Sequence, residues 1–216
     1  MKDAQGDPAY GRTNWRRFAV AVGVPTLVAG GLVVALAQGA LAASFSVSGG
    51  QQFKLSADSL VGQGFTQYSK QLPTEKVQPT TGKPYVVAAM SGIKSADITK
   101  LCQSVAVGPV VLRIEAGSDP KRPAHADDLL IGMSELSGDA EFKGIDIGQD
   151  ASTLDADGRK GEDAHGDVGS FGQQADSVTI TGLRQQAYMT SASTFRLTGM
   201  SLKLFVAQSG KECYYE

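Results

Sequence analysis

Between Phe18 and Ala37 the chain carries no charge, a run of 20 residues. About 18 uncharged, mostly apolar residues suffice to cross a bilayer as a helix. Arg12, Arg16 and Arg17 precede the run and no basic residue follows it closely. That asymmetry orients a chain with its N-terminus inside and the remainder outside. The run gives way to Gln38-Gly39-Ala40-Leu41-Ala42 and then Ala43-Ser44-Phe45. Small residues at Ala40 and Ala42 suit a signal peptidase, which places a cut between Ala42 and Ala43. The run is also longer than the ~7–15 residues of an ordinary signal-peptide core, which suits a retained anchor. Both readings stand. Pro25 and Gly30-Gly31 kink or loosen such a helix without ending it. The Arg16-Arg17 pair admits a twin-arginine route, but Phe18 follows directly, and paired arginines commonly flank membrane spans.

The reading divides the chain into a basic cytoplasmic N-terminus over 1–17, a signal peptide or signal-anchor helix over 18–42, and an extracytoplasmic domain over 43–216. The first 42 residues hold four of the 20 Lys+Arg and two of the 22 Asp+Glu, so the remainder has a net charge of −4. No basic stripe is present, and nucleic acid is not an expected partner. The 174 residues after Ala42 are enough for one domain with its own core. The only cysteines, Cys102 and Cys213, lie in the part expected outside, where disulfides persist. A bridge between them closes a loop of about 110 residues, which the chain-entropy model values at roughly 4–5 kcal/mol. Two free thiols are the alternative. A two-cysteine metal site lacks the paired spacing such sites use.

From Ser44 the pattern turns to period two. Phe45, Val47, Phe53 and Leu55 alternate with serines and Lys54 around Gly49-Gly50, as two short strands joined by a turn. Strands are also expected at Tyr85–Met90, Val110–Glu115, Leu129–Met133, Phe142–Ile147 (with a bulge at Gly144), Val178–Ile180, Ala187–Met189, Phe195–Leu197 and Met200–Val206. Gln71–Pro84, with three prolines, reads as a loop, as does Gly117–His125. Ile93–Val105 fits a short helix or an irregular strand pair. Gly148–Gly172 offers almost no core material, and loops that long are usually functional or disordered. Two phrases recur without a period. Phe53–Leu60 matches Phe195–Leu202, and Ala-Asp followed by an apolar residue within two positions appears at 57–58, 96–97, 126–127 and 175–176. They suggest strands ending at turns, in a single antiparallel β-rich domain of sandwich, jelly-roll or irregular solenoid type.

Catalytic material is sparse. A serine hydrolase needs a base, and only His125 and His165 are available. No Gly-x-Ser-x-Gly elbow occurs; Ser134, in Gly-Met-Ser-Glu-Leu, comes nearest but lacks the second glycine. Both histidines sit among acids in expected loops, where most such residues are simply solvated. Asp155, Asp157 and Asp163 in the long loop suggest Ca²⁺, but their spacing misses the Asp-x-Asp-x-Asp-Gly pattern, and a solvated acidic loop is the plainer account. No cofactor is expected.

The phrases Trp15-Arg-Arg-Phe-Ala-Val20, Ala37–Gly49, Phe53-Lys-Leu-Ser-Ala-Asp58, Leu101-Cys-Gln-Ser104, Ala140-Glu-Phe142, Phe171-Gly-Gln-Gln-Ala-Asp-Ser177 and Phe195-Arg-Leu-Thr-Gly199 resemble a family of actinobacterial exported proteins. That family is filed as a domain of unknown function, and some streptomycete members carry the label cholesterol esterase. The resemblance implies sterol-ester hydrolysis as an activity and assigns it to no residue. The expectation is a non-catalytic envelope protein contacting lipid, membrane or a membrane partner. A sterol or lipid esterase is one alternative, and a surface assembly protein using strand-edge pairing is another.

Overall fold

A computed structural model describes residues 51–74, 82–160, 164–206 and 210–214, all within one compact unit, Phe45–Glu216. The apolar run, the Ala42–Ala43 step and the strand expected at Phe45–Val47 lie outside the described residues. No helix among the described residues is long and apolar enough to cross a membrane.

The described chain is mainly antiparallel β. Its strands are β1 (Phe53–Pro73), β2 (Tyr85–Thr99), β3 (Leu101–Val107), β4 (Val110–Ala116), β5 (Ala124–Lys143), β6 (Asp146–Asp150), β7 (Phe171–Ser191), β8 (Thr194–Arg196) and β9 (Ser201–Val206). They form one sheet in the order β6-β7-β5-β2-β1-β3-β4-β9, with β8 paired to β5. β1 also pairs with β7, so β1, β2, β5 and β7 close into a ring of hydrogen-bonded strands. A single sheet closing on itself thus replaces the two stacked sheets or solenoid coils that the turn-rich sequence suggested. β3, β4 and β9 leave the ring as a three-stranded wing. Over Ile93–Val105 the strand pair is realised and the helix is not.

Several strands are far longer than their apolar stretches. β1 and β7 each run 21 residues. The reason lies in two rows of corners. Pairing lapses where Gly64 faces Lys94 and Asp176, and where Lys94 faces Asp128, then resumes in the same register. It lapses again where Asp58 faces Lys100 and Gly182. Gly64, Gly182, Lys100 and Asp128 all have positive φ, a conformation that reverses which way the next side chains point. The buried side therefore steps by one residue at each corner: Leu55 and Ala57, then Leu60 and Gly62, then Phe65. Neighbouring strands turn together, so the ladder survives.

The recurrent Ala-Asp phrase gains a physical meaning. Ala57, Ala96, Ala126 and Ala175 all face the inner core, and Asp58 and Asp176 occupy corners. These strands do not end there, as the sequence suggested; they bend. Barrel diameter grows with strand number, so a ring of four strands has a narrow interior. It is filled by those alanines, with Ala116, Ala124 and Ala187, around Phe65, Leu60, Leu183 and Ile93. A Cβ on Gly62 would lie 2.8 Å from Ile93 Cγ2. The Phe53–Leu60 and Phe195–Leu202 phrases do not correspond: the first lies inside β1, the second crosses from β8 through Gly199 to β9.

Gly144, where a bulge was expected, is the positive-φ turn between β5 and β6. The long loop after β6 supplies core residues after all. Its 3₁₀ turn, Ala151–Thr153, and Leu154 cover the outer face of the ring, over Tyr68, Leu72, Ala88, Met90 and Met189.

Candidate functional site

The loop is pinned by one carboxylate. Asp157 is 1% exposed. Its Oδ2 accepts hydrogen bonds from Thr66 Oγ1 at 2.7 Å and from Arg159 Nε and Nη2 at 3.0 and 2.8 Å. Its Oδ1 accepts from the Arg159 backbone N–H at 3.1 Å and lies 3.1 Å from His165 Nε2. Burial alone would raise the Asp157 pKa. The Thr66 hydrogen bond, the Arg159 charge and the His165 contact outweigh burial and hold it below the ordinary carboxylate value. His165 is buried edge-on against Tyr68, ring centroids 6.0 Å apart. The Tyr68 hydroxyl donates to the Ala164 carbonyl at 3.0 Å, and burial pushes its pKa up.

Glycines on the sheet make room for this knot. A Cβ on Gly92 would collide with Arg159 Nη2, Asp157 Oδ2 and Thr66 Oγ1. One on Gly64 would collide with the Ala156 carbonyl. Every acceptor site of Asp157 is thus directed at a neighbour in its own fold. Asp155 accepts from Gln174 Nε2 at 3.3 Å, and Asp163 lies outside the described residues. Among the described residues no three His, Cys, Asp or Glu side chains group as around a metal ion.

His125 lies elsewhere, on β5, which begins one residue before it rather than after it as a loop reading supposed. It sits directly across from Asp97 of β2. Its Nδ1 is 2.7 Å from Asp97 Oδ1 and its Nε2 is 3.2 Å from Asp127 Oδ1. The Asp97 hydrogen bond, reinforced by Asp127, raises its pKa against a smaller opposing effect of burial. Both ring nitrogens therefore face carboxylates. Ser134 is nine residues along the same strand, on the order of 30 Å if extended. It donates to the Gln186 carbonyl at 3.4 Å and receives a hydrogen bond from Gln52 Nε2. The structure brings neither histidine to Ser134.

Cys102 and Cys213 form the disulfide, with Cα atoms 5.7 Å apart. The bridge fastens residues 210–214 to one face of the sheet. The Cys213 N–H donates to Ser104 Oγ at 3.0 Å, Glu212 meets Lys54 at 3.3 Å, and the Tyr214 ring lies under Lys54 and Arg184. On the same side of the wing, Glu115 is paired with Arg113 and Lys203. The Arg113 hydrogen bond is the main reason its pKa is lowered.

The opposite face of the wing was legible in the sequence only as an aliphatic alternation. Register aligns Leu202 with Ile114, Leu204 with Leu112 and Val206 with Val110, and carries on to Val105 and Val107. Leu101 and Ala116 begin this face inside the core. Farther out it opens: Leu202 is 53%, Leu204 65% and Val206 66% exposed. Only the Leu-x-Leu-x-Val alternation signalled it, and alternation alone does not tell a core face from an open one.

The fold and site define a mainly antiparallel β protein with a closed ring, a saturated polar knot and an open apolar wing. Residues 49–214 match a family of unknown function, DUF6230, and the chain belongs to that family. No curated protein and no solved structure matches it.

Proposed function

We propose that this is an exported or membrane-anchored cell-envelope protein, non-catalytic, that contacts lipid, a membrane surface or a membrane partner through the open face of β3, β4 and β9. The observation that carries this reading is the exposure of Leu202, Leu204 and Val206 in one apolar row continuous with the half-buried Val110, Leu112 and Ile114. Contiguous exposed apolar surface of this kind marks interaction sites. The uncharged run 18–37 and the Cys102–Cys213 bridge support an oxidising, membrane-side location. The non-catalytic part rests on His125 and His165 having their described contacts with carboxylates rather than with a nucleophile.

The full chain reconstituted in phospholipid vesicles with a photoactivatable lipid tests it. Label on 201–206, abolished by Leu202→Lys with Leu204→Lys, is the expected result. Label confined to 18–37 overturns the contact. Turnover of cholesteryl or short-chain esters that disappears with His125→Ala or His165→Ala overturns the non-catalytic reading.

A further inference from the structure

Three described strands have a single strand partner: the three-residue β8, which pairs with β5 alone, and the two ends of the sheet order, β6 and β9. β6 and β9 are built differently. β6 has five residues, two of them aspartates, with a register shift between Ile147 and Gln149 and Gly148 at φ 90°. Short, charged and irregular edges resist pairing with another chain. β9 reads Ser-Leu-Lys-Leu-Phe-Val, with no proline, glycine or acid and a single lysine. It pairs with β4 in unbroken register, and β4 is its only strand partner among the described residues. Its edge carries no such protection beyond Lys203.

We propose that β9 pairs antiparallel with β9 of a second copy of this chain, about a twofold axis through Leu204. Twofold pairing requires the strand to be complementary to itself. Side chains alternate faces, so an axis between two residues would join the apolar face of one copy to the polar face of the other. The axis must pass through a residue. At Lys203 it would set two lysines directly opposite, which is unfavourable. At Phe205 it would leave Leu202 and Lys203 past the described end of the second copy's strand, with no β9 residue opposite. At Leu204 the positions from Leu202 to Val206 agree. Leu204 meets Leu204, Leu202 meets Val206 on the apolar face, and Lys203 meets Phe205 on the other. An ammonium beside an aromatic ring is a favourable contact, and Phe205 already lies 5.8 Å from Lys211 Nζ. Among the axes through the three central residues, charge and apolar pattern thus favour the one at Leu204, which pairs the most strand residues. The pairing joins two open wings into one apolar surface.

This goes beyond the lipid-contact reading and fails separately from it, because cross-linking reports the strand edge and photolabelling reports the face. The full chain in mild detergent is tested as single-cysteine additions, with peptide mapping to confirm that Cys102–Cys213 stays intact. Under gentle oxidation Leu204→Cys gives a covalent dimer. Leu202→Cys and Val206→Cys alone give little, but mixed together they cross-link as a heterodimer. Light scattering gives twice the chain mass for the unmodified protein and the single mass for Leu204→Lys. A single mass for the unmodified protein at micromolar concentration, or equal cross-linking of Leu202→Cys and Leu204→Cys alone, overturns the proposal.

Discussion

Two apolar surfaces of the described sheet lie outside its closed core, and the chain treats them oppositely. Over Tyr68, Leu72 and Met90 it folds its own Ala151 and Leu154, and locks the following residues with Asp157. Over Leu112, Ile114 and Leu204 the described chain lays nothing comparable, and the surface stays open. Covering the first required residues that make no apolar contact themselves: a buried carboxylate, a cation for it, and glycines where the segment touches the sheet. Those requirements are absent from the wing. An apolar face thus becomes core only where the sequence also provides a fastening.

Unfastening the covered face is expected to have the largest effect. Asp157→Ala leaves the Arg159 guanidinium without its partner, and breaking a buried pair in this way costs about 3–5 kcal/mol. Urea unfolding measures that loss, and proteolysis within 151–170 shows where it acts. A cost under 1 kcal/mol would mean the segment is held by Ala151 and Leu154 alone. The knot is also acid-sensitive. The folded Asp157 pKa is lowered, so its contribution is present above the unfolded value near pH 4 and is lost as pH falls through the lower folded value.

The disulfide fastens the polar side of the wing. Cys102→Ser with Cys213→Ser is expected to cost about 2–5 kcal/mol while leaving the knot's protease resistance unchanged. Protection of β3 and β4 amides against hydrogen exchange should fall most. Gly92→Ala tests the clearance under the knot from the sheet side. Its methyl meets Arg159 and Asp157, an overpacking worth about 1–3 kcal/mol. Asp157→Ala combined with Gly92→Ala should then cost less than the two changes summed.

The smallest effect is expected at His125, on neither surface. Its folded pKa is raised, so its stabilisation is complete below the unfolded value near 6.5 and disappears as pH rises through the folded value. For a partly exposed pair this amounts to under about 1 kcal/mol. Unfolding midpoints of the parent and His125→Gln should converge towards pH 8.5 and separate at pH 5.5. Separation at pH 8.5 instead would show that neutral His125 carries the stabilisation.

Period-two alternation located most strand centres, because each short apolar stretch among the described residues falls on a strand or across a strand end. It could not reveal that Val178–Ile180 and Ala187–Met189 are one strand. Gly182 between them looks like a turn, and in the fold it is a corner shared with Asp58. The two cysteines were legible as a pair because compartment and even count point the same way. The Asp157 knot was not. Asp157 and Arg159 were visible as loop charges, but Thr66 and Gly92 come from strands with no polar signature, and only pairing brings them together. The open wing was equally hidden, since exposure depends on what lies above a face.

The ring has a consequence for timing. Phe53 at the start of β1 waits for Ala187 of β7, and Cys102 waits through 111 residues for Cys213. Pairings between such distant segments form slowly, since the intervening chain must be ordered first. A chain emerging from its N-terminal end exposes β1 through β5 well before the strand that closes them is made. Any escort that meets this protein during synthesis therefore meets unclosed strands, and its release is set by the arrival of β7.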